Sequence, residues 1–214
     1  MDVIMWGAGG HASVVAETIA ACPDLALFGI VLEAKWLPSA EPSLSSLVLG
    51  GREILAELRS RGILRAVVAV GNNSIRLGLA AELTDAGFCF PAIVAPSAIV
   101  SPSASIGVGT VVLPRAVINA GAKVGRHCIV NTGAIIEHGS QLGDGVHVSP
   151  GAVLAGNVTV GDRTWIGAGA TVIEQITIGA DSLVGAGAVV VDNVPAGVVA
   201  FGVPARVHRQ YVKA

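Results

Sequence analysis

The chain has 214 residues, of which 52% are hydrophobic but only 4% aromatic and 13% charged, and 28 are glycine. This length allows one or two domains with a buried core, and because Gly, Pro, Asn and Asp interrupt every apolar segment, no run of about 18 apolar residues is left to span a membrane. A net charge of −2 gives no reason to expect nucleic acid as a partner, and three scattered cysteines without metal-ligand spacing fit a reducing cytoplasm.

The N-terminal part of the chain, residues 1–92, alternates apolar runs with helix-like stretches. Strands are predicted over 2–6, 25–33, 65–72 and 90–94, and helices over about 11–21, 52–62 and 73–86. Alternation of strand and helix favours a small parallel sheet with helices on its faces. We therefore expect residues 1–92 to form a small Rossmann-like βαβ domain.

The second part of the chain repeats every six residues. Reading every sixth residue from Val94 to Val190 gives seventeen positions, and all of them are Val, Ile or Leu. The residue four places further on is Ala, Ser, Thr or Cys in thirteen of these repeats, which is small enough for a tight corner. A period of six is too short for a pair of helices and matches a solenoid in which each hexad supplies one short strand and a turn.

Three hexads close one triangular coil of eighteen residues, so residues eighteen positions apart are expected to stack, with strands about 4.8 Å apart. The solenoid is predicted over residues 93–197, followed by a tail over 198–214. In this stack His147 lies between Ile129 and Trp165, and His138 lies beneath Gly156. Because His138 stands near a strand end, it is not core filler. It is either an exposed surface residue or part of a site at a subunit boundary.

Four motifs in a fixed order resemble a known family. They are GAGGHASVVAE near the start, VAVGNNSIR, the segment from NTGAIIEHGS through HVSPGAVLAGN to GAGATV, and GVPAR near the end. They are similar to the hexapeptide-repeat acyltransferases, in the group of sialic acid O-acetyltransferases and nucleotide-amino-sugar N-acetyltransferases, over essentially the whole chain. The resemblance implies an N-terminal nucleotide-binding α/β domain, a left-handed parallel β-helix, and a homotrimer with active sites between subunits. The left hand rests on the resemblance alone, because crossovers are usually right-handed.

The resemblance also implies a reaction. Acetyl-CoA is the co-substrate, no metal is expected, and the acceptor is the 4-amino group of a UDP- or GDP-linked deoxyamino sugar, such as a bacillosamine or perosamine precursor. His138 matches the proposed general base for direct attack on the thioester, since an imidazole titrates near neutral pH and can take the proton that the amine loses. Relatives commonly have an acidic residue directly after this histidine. Here that residue is Gly139, so either Glu137 or a residue of a neighbouring subunit is expected to hold the ring, or the base is less strongly polarised.

The same resemblance places acetyl-CoA in the cleft between adjacent β-helices. His147 is expected near the thioester and the pantetheine arm, and the backbone amide of Gly156 is expected to bind the thioester oxygen as it becomes an oxyanion. Trp165, the one aromatic residue within the repeats, is expected at a subunit contact or against acetyl-CoA. The other expected acetyl-CoA-binding residues are Asn157, Ala168, Gly185 and Arg206. Arg206, Arg209 and Lys213 are expected either to meet the CoA phosphates or to form a solvated tail.

Candidate nucleotide-sugar-binding residues lie in the N-terminal part. Gly7, Gly9, Gly10 and His11 follow a strand and open a helix, which fits a phosphate-binding turn, although tight strand–helix turns need glycine in any case. Glu33 stands where a ribose-binding acid could lie, in place of the Asp pair that relatives often show.

A second candidate group follows the third predicted strand. Asn72, Asn73 and Arg76 are expected either to contact the nucleotide sugar or, for an Asn, to cap the following helix.

Three other functions remain open. O-acetylation of a sialic acid or a similar sugar is a close variant. A zinc lyase of the γ-carbonic anhydrase type uses the same β-helix, but it needs three histidines around one metal, and His127, His138 and His147 are eleven and nine residues apart. A non-catalytic scaffold is the third, and it predicts that His138→Ala changes nothing with any acyl donor.

Overall fold

The computed structural model describes residues 1–211. Its N-terminal part has four strands, β1 (Asp2–Trp6), β2 (Ala26–Val31), β3 (Val48–Gly50) and β4 (Ala66–Val68). It has four α-helices, α1 (Gly10–Ala21), α2 (Pro42–Ser45), α3 (Leu55–Ser60) and α4 (Asn73–Asp85), and 3-10 helices over Ala34–Ser39 and Arg52–Ile54. The strands form one parallel sheet in the order β3-β2-β1-β4. This confirms the predicted Rossmann-like arrangement.

Two strands of this region differ from the expectation. The sequence does not predict β3, because its three residues follow a Pro/Ser-rich stretch, and pairing with Ile30 and Val31 of β2 makes them a strand. The strand expected over 90–94 is reduced to Ile93–Val94, which is β5 and pairs with the solenoid. Of the residues just before it, Cys89 forms an isolated bridge with Arg65 beside β4.

Short parallel strands from β5 onward build three faces of a prism. Face 1 consists of β5 (Ile93–Val94), β8 (Val111–Val112), β11 (Ile129–Val130), β14 (His147–Val148), β17 (Trp165–Ile166) and β20 (Leu183–Val184). Face 2 consists of β6 (Ile99–Val100), β9 (Val117–Ile118), β12 (Ile135–Ile136), β15 (Val153–Leu154), β18 (Thr171–Val172) and β21 (Val189–Val190). Face 3 consists of β7 (Ser105–Ile106), β10 (Lys123–Val124), β13 (Gln141–Leu142), β16 (Thr159–Val160) and β19 (Thr177–Ile178).

The register of these strands follows the eighteen-residue coil. Ile129 pairs with His147, and His147 pairs with Trp165, as the period predicts. After the last coil, β22 (Val198–Gly202) extends face 1 and pairs antiparallel with β23 (Ala205–Gln210). The hexad period therefore correctly predicts a parallel β-helix with three strands in each coil.

The second residue of each short strand points into the prism. Val130, Val148 and Ile166 are fully buried in one column, and the small residues Ala134 and Ala152 are buried at the corners. Burying each aliphatic side chain stabilises the fold by about 1.5–3 kcal/mol relative to leaving it exposed. The repeat of Val, Ile and Leu is thus the source of the continuous core.

The three faces differ in what their outward residues present. On face 1 the outward side chains of Ile93, Val111 and Ile129 are buried. Face 3 is polar, with outward residues Ser105, Lys123, Gln141, Thr159 and Thr177. Face 2 is mostly apolar and at least partly exposed, with outward residues Ile99, Val117, Ile135, Val153, Thr171 and Val189. Face 2 thus leaves an aliphatic column uncovered within the described chain.

The N-terminal sheet docks on the first coils of face 1. Met5 and Val67 of the sheet belong to one buried cluster with Ile93, Val111 and Leu113 of the solenoid. This shared core holds the N-terminal sheet against the side of the β-helix.

Candidate active site

A cavity of about 350 Å³ lies at the carboxyl ends of β1 and β4. This is the edge where open α/β sheets bind ligands. Gly7, Gly9 and His11 line it on one side, and Val70 and Gly71 line it on another. Its apolar walls include the side chains of Trp6, Leu32, Trp36 and Ile75. The cavity therefore offers flat apolar surfaces beside a glycine-rich turn, which suits a nucleotide.

The glycine-rich turn is built to expose backbone amides. Gly7 has a φ of +118°, and a Cβ on it would come within 2.7 Å of the Ala69 carbonyl oxygen, so only glycine fits. Gly9 caps α1 without a side-chain hydrogen bond, and the first turn of α1 has no acidic residue. The helix N-terminus can therefore accept an anion. Gly10 is exposed and lies beside the cavity lining rather than in it.

Two other expected nucleotide contacts have partners of their own. Glu33 forms an ion pair with Arg52 and does not line the cavity. Asn72 caps α4, since its Oδ1 accepts a hydrogen bond of 3.0 Å from the Ile75 amide. The N-cap interpretation of the GNN motif is thus correct for Asn72.

Asn73 and Arg76 join the two parts of the chain and do not line the cavity. The Asn73 amide donates to the carbonyls of Arg163 and Thr164 at 2.9 and 3.3 Å. Arg76 is only 1% exposed and donates to the carbonyls of His127 and Gly145 at 2.7 and 2.9 Å. Sequence reasoning missed this role, because it depends on how the sheet docks against the solenoid.

A second cavity, of about 390 Å³, is a groove on face 1 and the corner that follows it. His147, Trp165 and Leu183 form its floor, and Ala168 and Gly185 are among the small residues of its rim. The Trp165 ring stacks on the His147 ring with centroids 5.3 Å apart and planes 8° apart. Its Nε1 donates to the Ser149 hydroxyl at 2.7 Å, which locks the indole in place. The structure thus brings together four of the expected acetyl-CoA contacts.

His147 and His11 meet where the two cavities approach each other. Their ring centroids are 6.4 Å apart. Burial, followed by the charge of Arg76, lowers the pKa of His147 to about 3 and the pKa of His11 to about 4. Asn131 Nδ2 lies 3.1 Å from His147 Nε2, and His11 Nε2 is buried without a hydrogen-bond partner. Both rings are therefore neutral at pH 7, and neither is suited to act as a cationic group.

His138 lies in the corner between faces 2 and 3, and its side chain is exposed. Its ring lies over Gly156 of the next coil, where an added Cβ would come within 2.6 Å of Cε1. The Gly156 carbonyl accepts from Gln175, but its N–H has no acceptor within residues 1–211. The corner thus presents an accessible imidazole beside an unused backbone donor.

Neither Gly139 nor Glu137 places a carboxylate on the His138 ring within the described chain. Gly139 has a φ of +68°, and a Cβ there would collide with the Asn157 side-chain oxygen. A side chain after His138 would therefore have to displace the Asn157 side chain, whereas the positive φ alone does not exclude one, since Asn157, eighteen residues further on, has a φ of +59°. The Glu137 carboxylate accepts from the His138 backbone amide at 3.3 Å, and within the described chain it makes no hydrogen bond to the ring. The expectation that Glu137 holds the imidazole is not met within one chain.

One chain does not bring the two clusters together. His138, Gly156 and Asn157 stand in the corner between faces 2 and 3, whereas the groove lies on face 1 and the corner between faces 1 and 2. The whole width of face 2 separates them. Arg206 is on the terminal hairpin, where it pairs with Asp192 at 3.2 Å, and it is not part of the groove lining. Lys213 lies outside the described residues.

Within residues 1–211, no three His, Cys, Asp or Glu side chains converge as metal ligands. His127, His138 and His147 lie on separate parts of the coil, so the arrangement of a zinc lyase is not formed by one chain. In the same part of the chain, every helix is too short or too polar to cross a bilayer.

Two family models match the chain. Residues 2–83 match the PglD N-terminal domain, and residues 121–156 and 157–192 match the bacterial transferase hexapeptide (six repeats). A UDP-N-acetylbacillosamine N-acetyltransferase of Bacillus subtilis (strain 168) is 44% identical over 118 residues. That match covers 51% of this chain and 50% of the relative, so it spans about half the length of this curated protein.

Solved structures match almost the whole chain. A histidine-to-asparagine mutant of perosamine N-acetyltransferase from Caulobacter crescentus, in complex with CoA and GDP-perosamine, is 41% identical, with 98% of each chain covered and a TM-score of 0.91. This chain belongs to the hexapeptide-repeat nucleotide-sugar N-acetyltransferases. Another similar structure, the acetyltransferase domain of PglB from Neisseria gonorrhoeae FA1090 in complex with acetyl coenzyme A, is 39% identical, with 97% of this chain and 98% of that chain covered and a TM-score of 0.88. In this family the solenoid is a left-handed parallel β-helix.

Proposed function

We propose that this protein transfers the acetyl group of acetyl-CoA to the 4-amino group of a nucleotide-linked deoxyamino sugar. The observation that carries the proposal is the full-length similarity to a perosamine N-acetyltransferase bound to CoA and GDP-perosamine. Two cavities of this chain support it. The cavity beside the glycine-rich turn suits the nucleotide, and the groove on face 1 suits the pantetheine arm. No nucleic acid or membrane partner is needed.

In the proposed reaction His138 is the general base. The acceptor nitrogen attacks the thioester carbonyl carbon and forms the new C–N bond, while the imidazole takes the proton that the amine loses. The free N–H of Gly156 beside the ring is suited to stabilise the oxyanion. When the C–S bond breaks, the imidazolium returns the proton to the departing sulfur. The products are the N-acetylated sugar nucleotide and CoA with a free thiol.

We further propose that the enzyme is a homotrimer and that each active site is shared between two chains. Face 2 supports this, because its outward column of Ile99, Val117, Ile135 and Val153 is aliphatic and uncovered, with Ile99 66% exposed. Contiguous exposed apolar surface marks an interaction site. Packing face 2 against a second copy would bury this column and bring His138 of one chain toward the groove of its neighbour.

Three free thiols fit a cytoplasmic location.

A substrate screen tests the proposal. The purified protein is given acetyl-CoA with UDP- and GDP-linked 4-amino sugars and with their 4-hydroxyl counterparts, and release of free thiol is followed. We expect thiol release with at least one amino sugar and its loss in His138→Gln, which keeps a polar side chain but removes the base. Release with the hydroxyl sugars alone would instead identify an O-acetyltransferase.

A further inference from the structure

Arg76 is a buried guanidinium that lacks a negative partner. It is only 1% exposed, and five hydrogen bonds of 2.7 to 3.1 Å satisfy its donors. Every acceptor is neutral, namely four backbone carbonyls and the Asn73 side-chain oxygen. Among residues 1–211 no carboxylate forms an ion pair with it. Buried charges in proteins are normally paired, because an unpaired one is expensive to desolvate.

The position of Arg76 indicates where its counter-charge belongs. Its Nη1 donates to the carbonyls of Val70 and Gly71 at 2.9 and 3.1 Å. Both of these residues line the nucleotide cavity, so one layer of backbone separates the guanidinium from that cavity. Arg76 itself does not reach the cavity surface. Its charge therefore acts on a ligand through the protein, where screening by water is weak.

A second titratable group, His11, lies beside the same cavity and responds to the charge of Arg76. His11 lines the cavity, and its Nε2 is buried without a hydrogen-bond partner. Because burial and Arg76 lower the pKa of His11 to about 4, the ring is neutral at pH 7 and has one N–H to donate. Gly9 and His11, at the N-terminus of α1, line the same cavity, and a helix N-terminus favours an anion. The start of α1 and the positive charge of Arg76 thus both favour an anion in this cavity, and neutral His11 adds no further charge.

We propose that Arg76 is a positioning residue whose buried charge is completed by the diphosphate of the nucleotide sugar, which it attracts without touching. The inference rests on the proposed nucleotide site. It assigns the affinity for the diphosphate partly to a residue at the domain junction. The uncharged parts of the ligand, the base and ribose, gain nothing from this field.

The test compares two variants that neutralise the charge of Arg76, one by removing it and one by placing a negative charge beside it. Arg76→Gln removes the positive charge. Asn73→Asp keeps Arg76 and replaces the side-chain amide, whose Oδ1 accepts a hydrogen bond of 2.9 Å from Arg76 Nη2, with a carboxylate. Asn73→Ser is the matched control for Asn73→Asp, because it also loses the Asn73 amide bonds to Arg163 and Thr164 but adds no charge. Arg76→Lys keeps the charge and loses most of the five hydrogen bonds of the guanidinium.

Binding is measured by calorimetry on the full chain with GDP, UDP and the corresponding nucleosides. We expect Arg76→Gln and Asn73→Asp each to weaken diphosphate binding about tenfold, equivalent to about 1.4 kcal/mol, with nucleoside binding unchanged. Asn73→Ser and Arg76→Lys should stay within about threefold of the parent. If Arg76→Gln does not fold, the Asn73→Asp and Asn73→Ser pair decides alone.

Equal diphosphate affinity in Asn73→Asp and Asn73→Ser would overturn the role of Arg76 and leave the proposed acetyl transfer standing. A parent protein that binds neither diphosphate would overturn the nucleotide site and the role of Arg76 together.

Discussion

The imidazole of His138 lies against the backbone of Gly156 on the next coil, so close that a Cβ on Gly156 would come within 2.6 Å of Cε1 and 2.7 Å of Nε2. The absence of a side chain at Gly156 therefore leaves the space that the His138 ring occupies. Gly156 is not in the left-handed region, so a methyl group there strains the histidine position and not the backbone.

Gly156→Ala tests whether this position of the His138 ring matters for activity. The ring of His138 must rotate away, and we expect kcat to fall by about ten- to a hundredfold, since small misplacements of a catalytic group are costly. The melting temperature should change little, because the exposed ring can move into solvent. Gly78→Ala is the control, as a Cβ on this exposed residue of α4 meets nothing. It should keep full activity and add about 0.5–1 kcal/mol to the free energy of unfolding. Full activity in Gly156→Ala would show that the ring position is unimportant.

The aliphatic column of face 2 makes assembly testable. Ile135→Lys places a charge in the middle of this column, and we expect sedimentation to show loss of the trimer, with loss of activity. Gln141→Lys puts the same charge on the polar face 3 as a matched control and should leave the trimer intact. A trimer that persists in Ile135→Lys would exclude face 2 as the subunit contact.

The buried histidines predict an acid-sensitive fold. The pKa of His147 is lowered to about 3, and those of His11 and His127 to about 4, first of all by burial. Between these values and the unfolded value of about 6.5, the unfolded chain binds protons that the folded chain does not, so stability falls as pH decreases from about 6.5 toward 4. Each histidine contributes a slope of about 1.4 kcal/mol per pH unit in that window.

Urea titrations between pH 8 and pH 4.5 measure this slope. The free energy of unfolding should be flat above pH 7 and decline below it. His147→Asn should reduce the slope by the contribution of one histidine, about 1.4 kcal/mol per pH unit. An unaltered slope in that variant would mean that His147 is protonated in the folded protein.

The six-residue period predicts the solenoid because each hexad contains both the aliphatic residue that fills the core and, in most repeats, the small residue that fits the corner. The stacking of Ile129, His147 and Trp165 follows from a step of eighteen and is found. The same step of eighteen also places Gly139 beside Asn157, so the period predicts this contact as well. β3 and its neighbours are less predictable, since three residues acquire a strand conformation from pairing with β2.

The site is only partly encoded in local patterns. The glycine-rich turn and the groove residues follow from motifs, because backbone geometry and stacking restrict the residue types there. Arg76 and Asn73 do not, since their partners are carbonyls that come close only when the N-terminal sheet docks on face 1. The meeting of His11 with His147 depends on the same docking. Long-range contacts of this kind leave no period in the sequence.

The central claim is that His138 of one chain serves the acetyl-CoA groove of another. It is tested most directly by co-expressing two inactive variants, His138→Gln and Ala168→Trp, the second of which fills the groove rim. We expect each variant alone to release almost no thiol from acetyl-CoA with the amino-sugar nucleotide, and mixed trimers to regain a substantial fraction of the parent activity. Mixed trimers, verified by mass, that stay as inactive as the separate variants would contradict it.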